Sequence, residues 1–177
     1  LRHTLETARD GATEGIASSQ LALVDRAITE ADALLATFGA LLRIAQIEAG
    51  AARRSFSPVD LSSVVADVIE VYGPAAEERA QTIEPHIASS VSVNGDRALL
   101  MQAIANLVEN AIRHSFRGSR IEVTLDAAGN GFQVCLTVSD SGPGIPASER
   151  ANVFRRFYRL DGSRGARGNG LGLALVA

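Results

Sequence analysis

A regular spacing of apolar residues between Leu21 and Ala45 is the feature that most constrains how this chain folds. Apolar residues recur there alternately every three and four positions, which is the heptad seam of a helix in a bundle. A lone hairpin of two helices buries little, so such a seam needs a further partner. We therefore expect a helical hairpin that joins a second copy in a dimeric four-helix bundle. The seam consists of Leu21, Val24, Ile28, Ala31, Leu35, Phe38, Leu42 and Ala45.

The composition is that of a folded globular protein without unusual charge. The chain has 177 residues, 46% of them hydrophobic, and a formal net charge of -3. Because acidic and basic residues are mixed, nothing favours attraction to phosphate backbones, and we expect no nucleic-acid partner. No run approaches the roughly 20 apolar residues that span a bilayer, so we expect this chain not to cross a membrane. The single cysteine, Cys135, lies in an apolar run and is predicted to be a small buried residue.

A change of pattern near residue 55 predicts a domain boundary. Gly50 ends the long helix, and residues 51–58 form a short basic segment typical of a linker. We therefore assign residues 1–50 to the helical hairpin and residues 59–177 to a second domain. Because the sequence starts abruptly and stops inside a helical pattern, we expect the hairpin to lack its beginning and the second domain its end.

The second domain mixes helices and strands. Asp60 can cap the helix that follows it, and residues 82–87 and 91–93 are short strand candidates. Asp96 precedes residues 97–114, whose broad apolar face predicts a helix packed on a sheet.

Two further segments are typical of neighbouring strands. Residues 120–126 and 132–139 are rich in β-branched side chains, and a glycine-containing turn joins them. The sequence therefore predicts a hairpin of adjacent strands.

One stripe of the predicted helix 97–114 is polar. Asn106, Asn110 and Arg113 are spaced by four and three residues, which places them on the same side. Asparagine oxygen is a hard, neutral ligand suited to Mg²⁺, and an arginine can meet phosphate directly. The alternative is that the asparagines hydrogen-bond a neighbouring loop and that Arg113 is simply solvated.

Asp140 directly follows a predicted strand and precedes Gly142 and Gly144. Glycines there allow positive φ and close approach of a planar ligand. A carboxylate only accepts hydrogen bonds, so it favours the amino group of adenine over the carbonyl of guanine. The alternative is an ordinary turn that begins with an aspartate.

A second glycine-rich run, residues 168–173, leads into a predicted helix start. Its exposed amides and the helix dipole suit phosphate oxygens. The run follows an arginine-rich loop and lacks the Rossmann spacing, so the dinucleotide fold is excluded and triphosphate binding is not.

Together these segments resemble the catalytic ATP-binding domain of sensor histidine kinases, which belongs to the superfamily of gyrase and the ninety-kilodalton chaperones. Residues 106–114 resemble the N box, residues 140–146 the first glycine box, residues 154–159 the F box, and residues 168–173 the second glycine box. Four motifs in this order are highly specific. Residues 34–50 also resemble the second helix of the dimerisation hairpin of that family.

The resemblance implies an α+β fold, a two-layer sandwich with helices on one face of a mixed sheet. It implies that Asn110 binds Mg²⁺, that Asp140 reads adenine, and that Arg156 and Arg159 lie on a lid over the nucleotide. Arg155 replaces a more usual acidic residue in the lid. The ATP-binding residues implied are Asn106, Asn110, Arg113, His114, Asp140, Gly142, Gly144, Ile145, Arg156, Gly168, Gly170, Leu171 and Gly172.

The resemblance also implies a reaction. In ATP-hydrolysing relatives a glutamate stands at the position of Asn106 and activates water, whereas an amide cannot take that proton. We therefore expect transfer of the ATP γ-phosphoryl group to a histidine of the dimerisation helix, and then to an aspartate of a response regulator. The alternatives are an ATPase of the same superfamily, a serine kinase of the anti-sigma type, and a degenerate kinase that serves as a docking module.

The phosphate-accepting histidine of the family is followed by an acidic residue and a Leu-Arg-x-Pro-type run, and this chain has no such stretch. His3, His86 and His114 do not fit, so we expect the acceptor to lie outside the chain. We expect the chain to be a cytoplasmic part of an inner-membrane sensor.

Overall fold

The computed structural model describes residues 18–48, 56–128, 133–160 and 170–176. The described residues fall into two compact units, one up to Ala45 and one from Gln46 onward. No helix within these ranges is both long enough and apolar enough to span a bilayer. The predicted hairpin and linker boundaries are not tested by this division and stay predictions.

The first unit is described as a single long helix, α1 (Ser18–Glu48), where the heptad seam predicted one. Ala31 of the seam is buried, whereas Leu35 and Phe38 are 60% and 64% exposed. The first helix of the predicted hairpin falls on residues outside the described ranges. The four-helix bundle therefore stays a prediction.

The second unit has the α+β architecture that was predicted. A mixed three-stranded sheet has the order β2-β4-β5, with β2 parallel and β5 antiparallel to β4. A separate antiparallel pair is formed by β1 and β3. The elements are β1 (Ser57–Asp60), α2 (Leu61–Glu77), β2 (Thr82–Ile87), β3 (Ser92–Gly95), α3 (Arg97–His114), β4 (Arg120–Ala128), β5 (Gln133–Ser139) and α4 (Gly172–Val176).

The core lies between one face of the sheet and helices α2 and α3. Alternate β4 residues, Ile121, Val123 and Leu125, are fully buried, as strand periodicity requires. They belong to one cluster with Val64 of α2 and Val108 of α3. Burying each such side chain contributes about 1.5–3 kcal/mol. The helices therefore cover one face of the sheet, as the two-layer prediction requires.

Side-chain caps fix where the two packed helices begin. The Asp96 carboxylate accepts hydrogen bonds from the backbone amides of Ala98 at 2.8 Å and Leu99 at 3.1 Å. The Asp60 carboxylate caps α2 in the same way, through the amide of Ser63 at 3.3 Å. Aspartate is a preferred N-cap because it satisfies amides that have no partner within the helix. Both predicted helix starts are confirmed.

The prediction that Cys135 is buried was wrong. Its side chain is exposed, because β5 alternates between exposed and half-buried positions. Cys135 pairs in register with Asp126, on the face that the helices leave uncovered. An apolar run alone does not tell which side of a strand is covered, and in this sheet the helices cover one side only.

Candidate active site

Helix α3 presents its polar stripe to the second glycine box. The Asn106 amide group donates a hydrogen bond to the carbonyl oxygen of Gly172 at 3.2 Å. A Cβ atom placed on Gly172 would lie 3.7 Å from the Asn106 carboxamide oxygen, which is ordinary contact distance. The start of α4 therefore packs directly on the stripe. This is the loop contact that the sequence left open for the asparagines, and it brings two of the motifs together.

The first glycine box lies at the C-terminal end of the same helix. A Cβ atom on Gly142 would come within 2.7 Å of the backbone oxygen of His114, which only glycine avoids. The amide of Gly142 donates to Oδ1 of Asp140 at 2.7 Å. Asp140 thus begins a tight turn, as the alternative interpretation held, but its side chain stays exposed at the end of α3. Both interpretations of this aspartate fit one geometry.

His114 is surrounded by the charged groups of three motifs. Partial burial lowers the pKa of its imidazole, the charge of Arg113 and more weakly that of Arg159 also lower this pKa, and Asp140 opposes them. A ring with a pKa below the usual value near 6.5 is neutral at neutral pH. The N box, first glycine box and F box therefore meet electrostatically at this ring.

Arg113 forms an ion pair with Glu109, one helical turn earlier on α3. Both charges act on Tyr72 of α2. Burial and then the Glu109 charge raise the pKa of its phenol, and the Arg113 charge lowers this pKa. The guanidinium expected to meet phosphate is thus held by a carboxylate. Neither Glu109 nor Tyr72 was predicted as part of the site, although the spacing of Glu109 and Arg113 is that of a helical ion pair.

The F box and the second glycine box are joined through their backbones. The amide of Phe157 donates to the carbonyl oxygen of Gly170 at 2.9 Å. Both residues have positive φ, 63° for Phe157 and 64° for Gly170. A Cβ atom on Gly170 would lie 2.8 Å from the backbone of Phe157, so glycine is required there. Residues 161–169, which include the predicted ligand Gly168, lie outside the described ranges.

Glu149 anchors the F box to the segment after the first glycine box. Its carboxylate accepts hydrogen bonds from the Tyr158 hydroxyl and, at 3.1 Å, from the Asn152 amide. These bonds, that of Tyr158 foremost, lower the pKa of the Glu149 carboxyl group. Sequence reasoning missed Glu149, since its spacing from Tyr158 matches no local pattern.

The remaining predicted ligands occupy the same loops. Gly144 has a positive φ of 72°, Ile145 is half-buried and Leu171 is buried. Asn110 is half-buried on α3 one turn from Asn106, and Arg156 lies in the exposed part of the F box. The N box thus lies on α3, the described parts of the two glycine boxes contact that helix, and the F box reaches its end through the charge of Arg159 near His114.

Comparison with known proteins agrees with the predicted resemblance. Residues 95–177 match the family described as histidine kinase-, DNA gyrase B- and HSP90-like ATPase. The sensor-like histidine kinase SenX3 of Mycolicibacterium smegmatis is 31% identical over 154 residues, which cover 86% of this chain and 40% of that protein. The chain thus spans about two fifths of the length of that relative.

Solved structures give the same result. The mycobacterial sensor histidine kinase MprB is 34% identical, with a TM-score of 0.60 over 68% of this chain and 75% of that one. Full-length ShkA, solved in complex with AMPPNP, is 26% identical, with a TM-score of 0.74 over 99% of this chain and 38% of that one. The predicted resemblance and fold class are confirmed, and the chain belongs to the sensor histidine kinase family, with the ATPase domain of that family at residues 95–177.

Proposed function

We propose that this chain binds ATP and that the intact protein transfers the γ-phosphoryl group to a histidine of its dimerisation helix. The observation that carries the proposal is the convergence of motifs on α3. The Asn106 amide bonds the second glycine box at Gly172, and the first glycine box packs on the His114 carbonyl. A single rigid helix thus fixes the position of both loops, as catalysis by positioning requires.

Asp140 is the residue we assign to adenine. Its carboxylate is exposed, and the hydrogen bond from Gly142 orients it. Because an ionised carboxylate only accepts hydrogen bonds, it suits the exocyclic amine of adenine and opposes the carbonyl of guanine. The nearby pair of His114 and Arg113 would then face ribose or phosphate.

Asn110 is the residue we assign to Mg²⁺, with Asn106 beside it. Within the described ranges no group of three or more histidine, cysteine or acidic side chains could hold a metal. Mg²⁺ is commonly held by one or two protein oxygens and otherwise by water and phosphate oxygens, and the half-buried carboxamide of Asn110 would supply such an oxygen. When bound, the ion would neutralise charge on the phosphates.

Asn106 favours transfer over hydrolysis. Its amide nitrogen already donates to Gly172, and a neutral carboxamide cannot accept a proton from water. In the reaction we propose, a histidine nitrogen attacks the γ-phosphorus, the bond to the bridging oxygen breaks and ADP leaves. The phosphoryl group would then move to an aspartate of a response-regulator receiver domain.

The partners and location follow from the same assignment. We propose that the intact protein is a homodimer through α1 and its hairpin partner. ATP is a cytoplasmic substrate, so the catalytic domain would lie on the cytoplasmic side of an inner-membrane sensor.

Calorimetric titration with a non-hydrolysable ATP analogue and Mg²⁺ tests the nucleotide assignment. We expect saturable binding by the wild-type chain and a loss of about tenfold or more in affinity for Asp140→Asn, because an amide presents a donor to the adenine amine. Asp126→Asn is the matched control, since Asp126 is an exposed carboxylate on β4. Equal binding by wild type and Asp140→Asn would contradict the assignment.

Incubation with ATP labelled at the γ position tests the acceptor. We expect this chain to bind ATP without labelling itself. Acid-labile phosphate on the chain would instead identify one of its own histidines as acceptor.

A further inference from the structure

Gln81 is a fully buried polar residue in the short connection between α2 and β2, outside all four motifs. Its side chain is only 3% exposed. The amide nitrogen lies within hydrogen-bonding distance of three backbone oxygens, those of Ile112 at 3.1 Å, Phe116 at 3.2 Å and Ser115 at 3.3 Å. The backbone amide of Gln81 donates a hydrogen bond to the carbonyl oxygen of Ala76 at 2.9 Å, which fixes the backbone from which the side chain extends.

These oxygens belong to the end of α3 and the residues that follow it. The last carbonyls of a helix have no partner within the helix and need donors from elsewhere. Arg79, in the same connection, reaches the carbonyl oxygen of Arg113 at 3.5 Å. The α2–β2 connection thus supplies side-chain donors to four carbonyls around the end of the helix, those of Ile112, Arg113, Ser115 and Phe116.

The same helix end also contacts the candidate site. The His114 carbonyl is the group against which Gly142 packs. The side chains of Arg113 and His114 leave the helix at the same turn. The helix end therefore contacts both Gln81 and the first glycine box.

We propose that Gln81 is a positioning residue of the nucleotide site, which holds the end of α3 so that Arg113, His114 and the Asp140 loop keep their relative placement. The proposal rests on the nucleotide-binding function proposed above. Gln81 touches no nucleotide in this scheme and acts through the backbone that carries those residues. Buried residues that orient a ligand-binding shell commonly affect affinity although they make no contact with the ligand.

Gln81→Met is the variant that tests this proposal, because it keeps the length of the side chain and removes its donors. We expect affinity for a non-hydrolysable ATP analogue with Mg²⁺ to fall about tenfold. Ser62→Ala is the matched control. The Ser62 hydroxyl also joins backbone groups, but in a different part of the domain. It donates a hydrogen bond to the carbonyl oxygen of Ala88 at 2.8 Å and accepts one from the backbone amide of Val91 at 3.0 Å. This control should lose stability and keep its affinity.

A second measurement does not depend on nucleotide. Proton NMR of the imidazole of His114 reports the pKa of that ring, which partial burial, Arg113 and Arg159 lower and Asp140 raises. If the helix end loosens in Gln81→Met, the ring becomes more hydrated, and its pKa should move up towards the ordinary value. Ser62→Ala should leave it unchanged.

The outcomes separate the two proposals. A wild-type chain that binds no ATP analogue would overturn the proposed function, while the His114 titration would still test Gln81. Unchanged affinity and an unchanged His114 titration in Gln81→Met would overturn the role of Gln81. If Gln81→Met fails to fold, Gln81→Asn tests the proposal instead, because it withdraws the amide by one methylene group. We then expect a lower affinity for the ATP analogue and a higher pKa of His114 than in the wild-type chain. Collapse of both variants would assign Gln81 to folding alone and overturn the proposal.

Discussion

Arg113 is the residue whose state in this structure bears most directly on phosphate binding. Its guanidinium is paired with Glu109 and partly exposed, at 34% for its side chain. An incoming triphosphate would compete with this carboxylate for the same donors. Glu109 should therefore lower the affinity for ATP. It also stabilises the helix, as ion pairs between residues four positions apart do.

Glu109→Gln should raise affinity for the ATP analogue about threefold, a gain of the size that a partly exposed ion pair costs to break. The same change should lower the pKa of Tyr72, because it removes one of the two influences that raise it, although burial remains. Calorimetry measures the first effect and ultraviolet titration of the phenols the second.

Glu30→Gln is the matched control for this prediction. Glu30 also pairs with an arginine four residues away, Arg26 at 3.0 Å, but it lies on α1. We expect no change of affinity in this variant. Weaker nucleotide binding by Glu109→Gln would show that the pair holds Arg113 in its binding position rather than away from it.

At the scale of elements, the attachments of the F box include the hydrogen bond from the Phe157 amide to the Gly170 carbonyl and that from the Tyr158 hydroxyl to the Glu149 carboxylate. The second attachment depends on pH. The pKa of Glu149 is lowered in the folded chain, so its contribution to stability is present above the unfolded value near 4.3 and is lost as pH falls through the folded value.

Tyr158→Phe removes the largest influence on that pKa and should flatten the stability profile on the acid side. Urea unfolding at a series of pH values between neutrality and the folded pKa of Glu149 measures this. Asn152→Ala, which removes the weaker of the two bonds, should show a smaller flattening. An unchanged profile in Tyr158→Phe would contradict the attachment.

The same scale shows what sequence patterns can specify. The Asp96 cap and the apolar face defined α3 from Arg97 to its end, because local hydrogen bonds and periodicity decide those bounds. The β4–β5 hairpin was predicted for the same reason. The β1–β3 pair was not, since it joins two four-residue strands far apart in the chain, one of which contains Pro58.

The site divides in a similar way. The motif residues carry their chemistry in their type and spacing, so the sequence alone predicts Asp140 and the asparagine stripe as site residues. Other residues act through partners that only the fold brings close, and no local sequence pattern predicts such contacts. These residues are Gln81, Glu149 and Tyr72.

At the scale of the whole molecule, the apolar seam of α1 bears on how the chain associates. Leu35, Phe38 and Leu42 of the seam are 60%, 64% and 50% exposed. Exposed apolar residues in heptad register favour association, because each buried methylene group contributes about 0.8 kcal/mol. We therefore predict a dimer that forms through this seam.

Phe38→Glu should shift the chain from dimer to monomer, because a charge in the seam would have to be buried without a partner. Size-exclusion chromatography with light scattering across micromolar concentrations measures this. Leu23→Glu is the matched control, since Leu23 is 65% exposed on the same helix but lies off the seam. Both variants add the same charge at nearly equal exposure, so a monomer in the first and a dimer in the second would assign the interface to the seam. A wild-type chain that stays monomeric at every concentration, or a dimer that Leu23→Glu disrupts equally, would count against a bundle built on these residues.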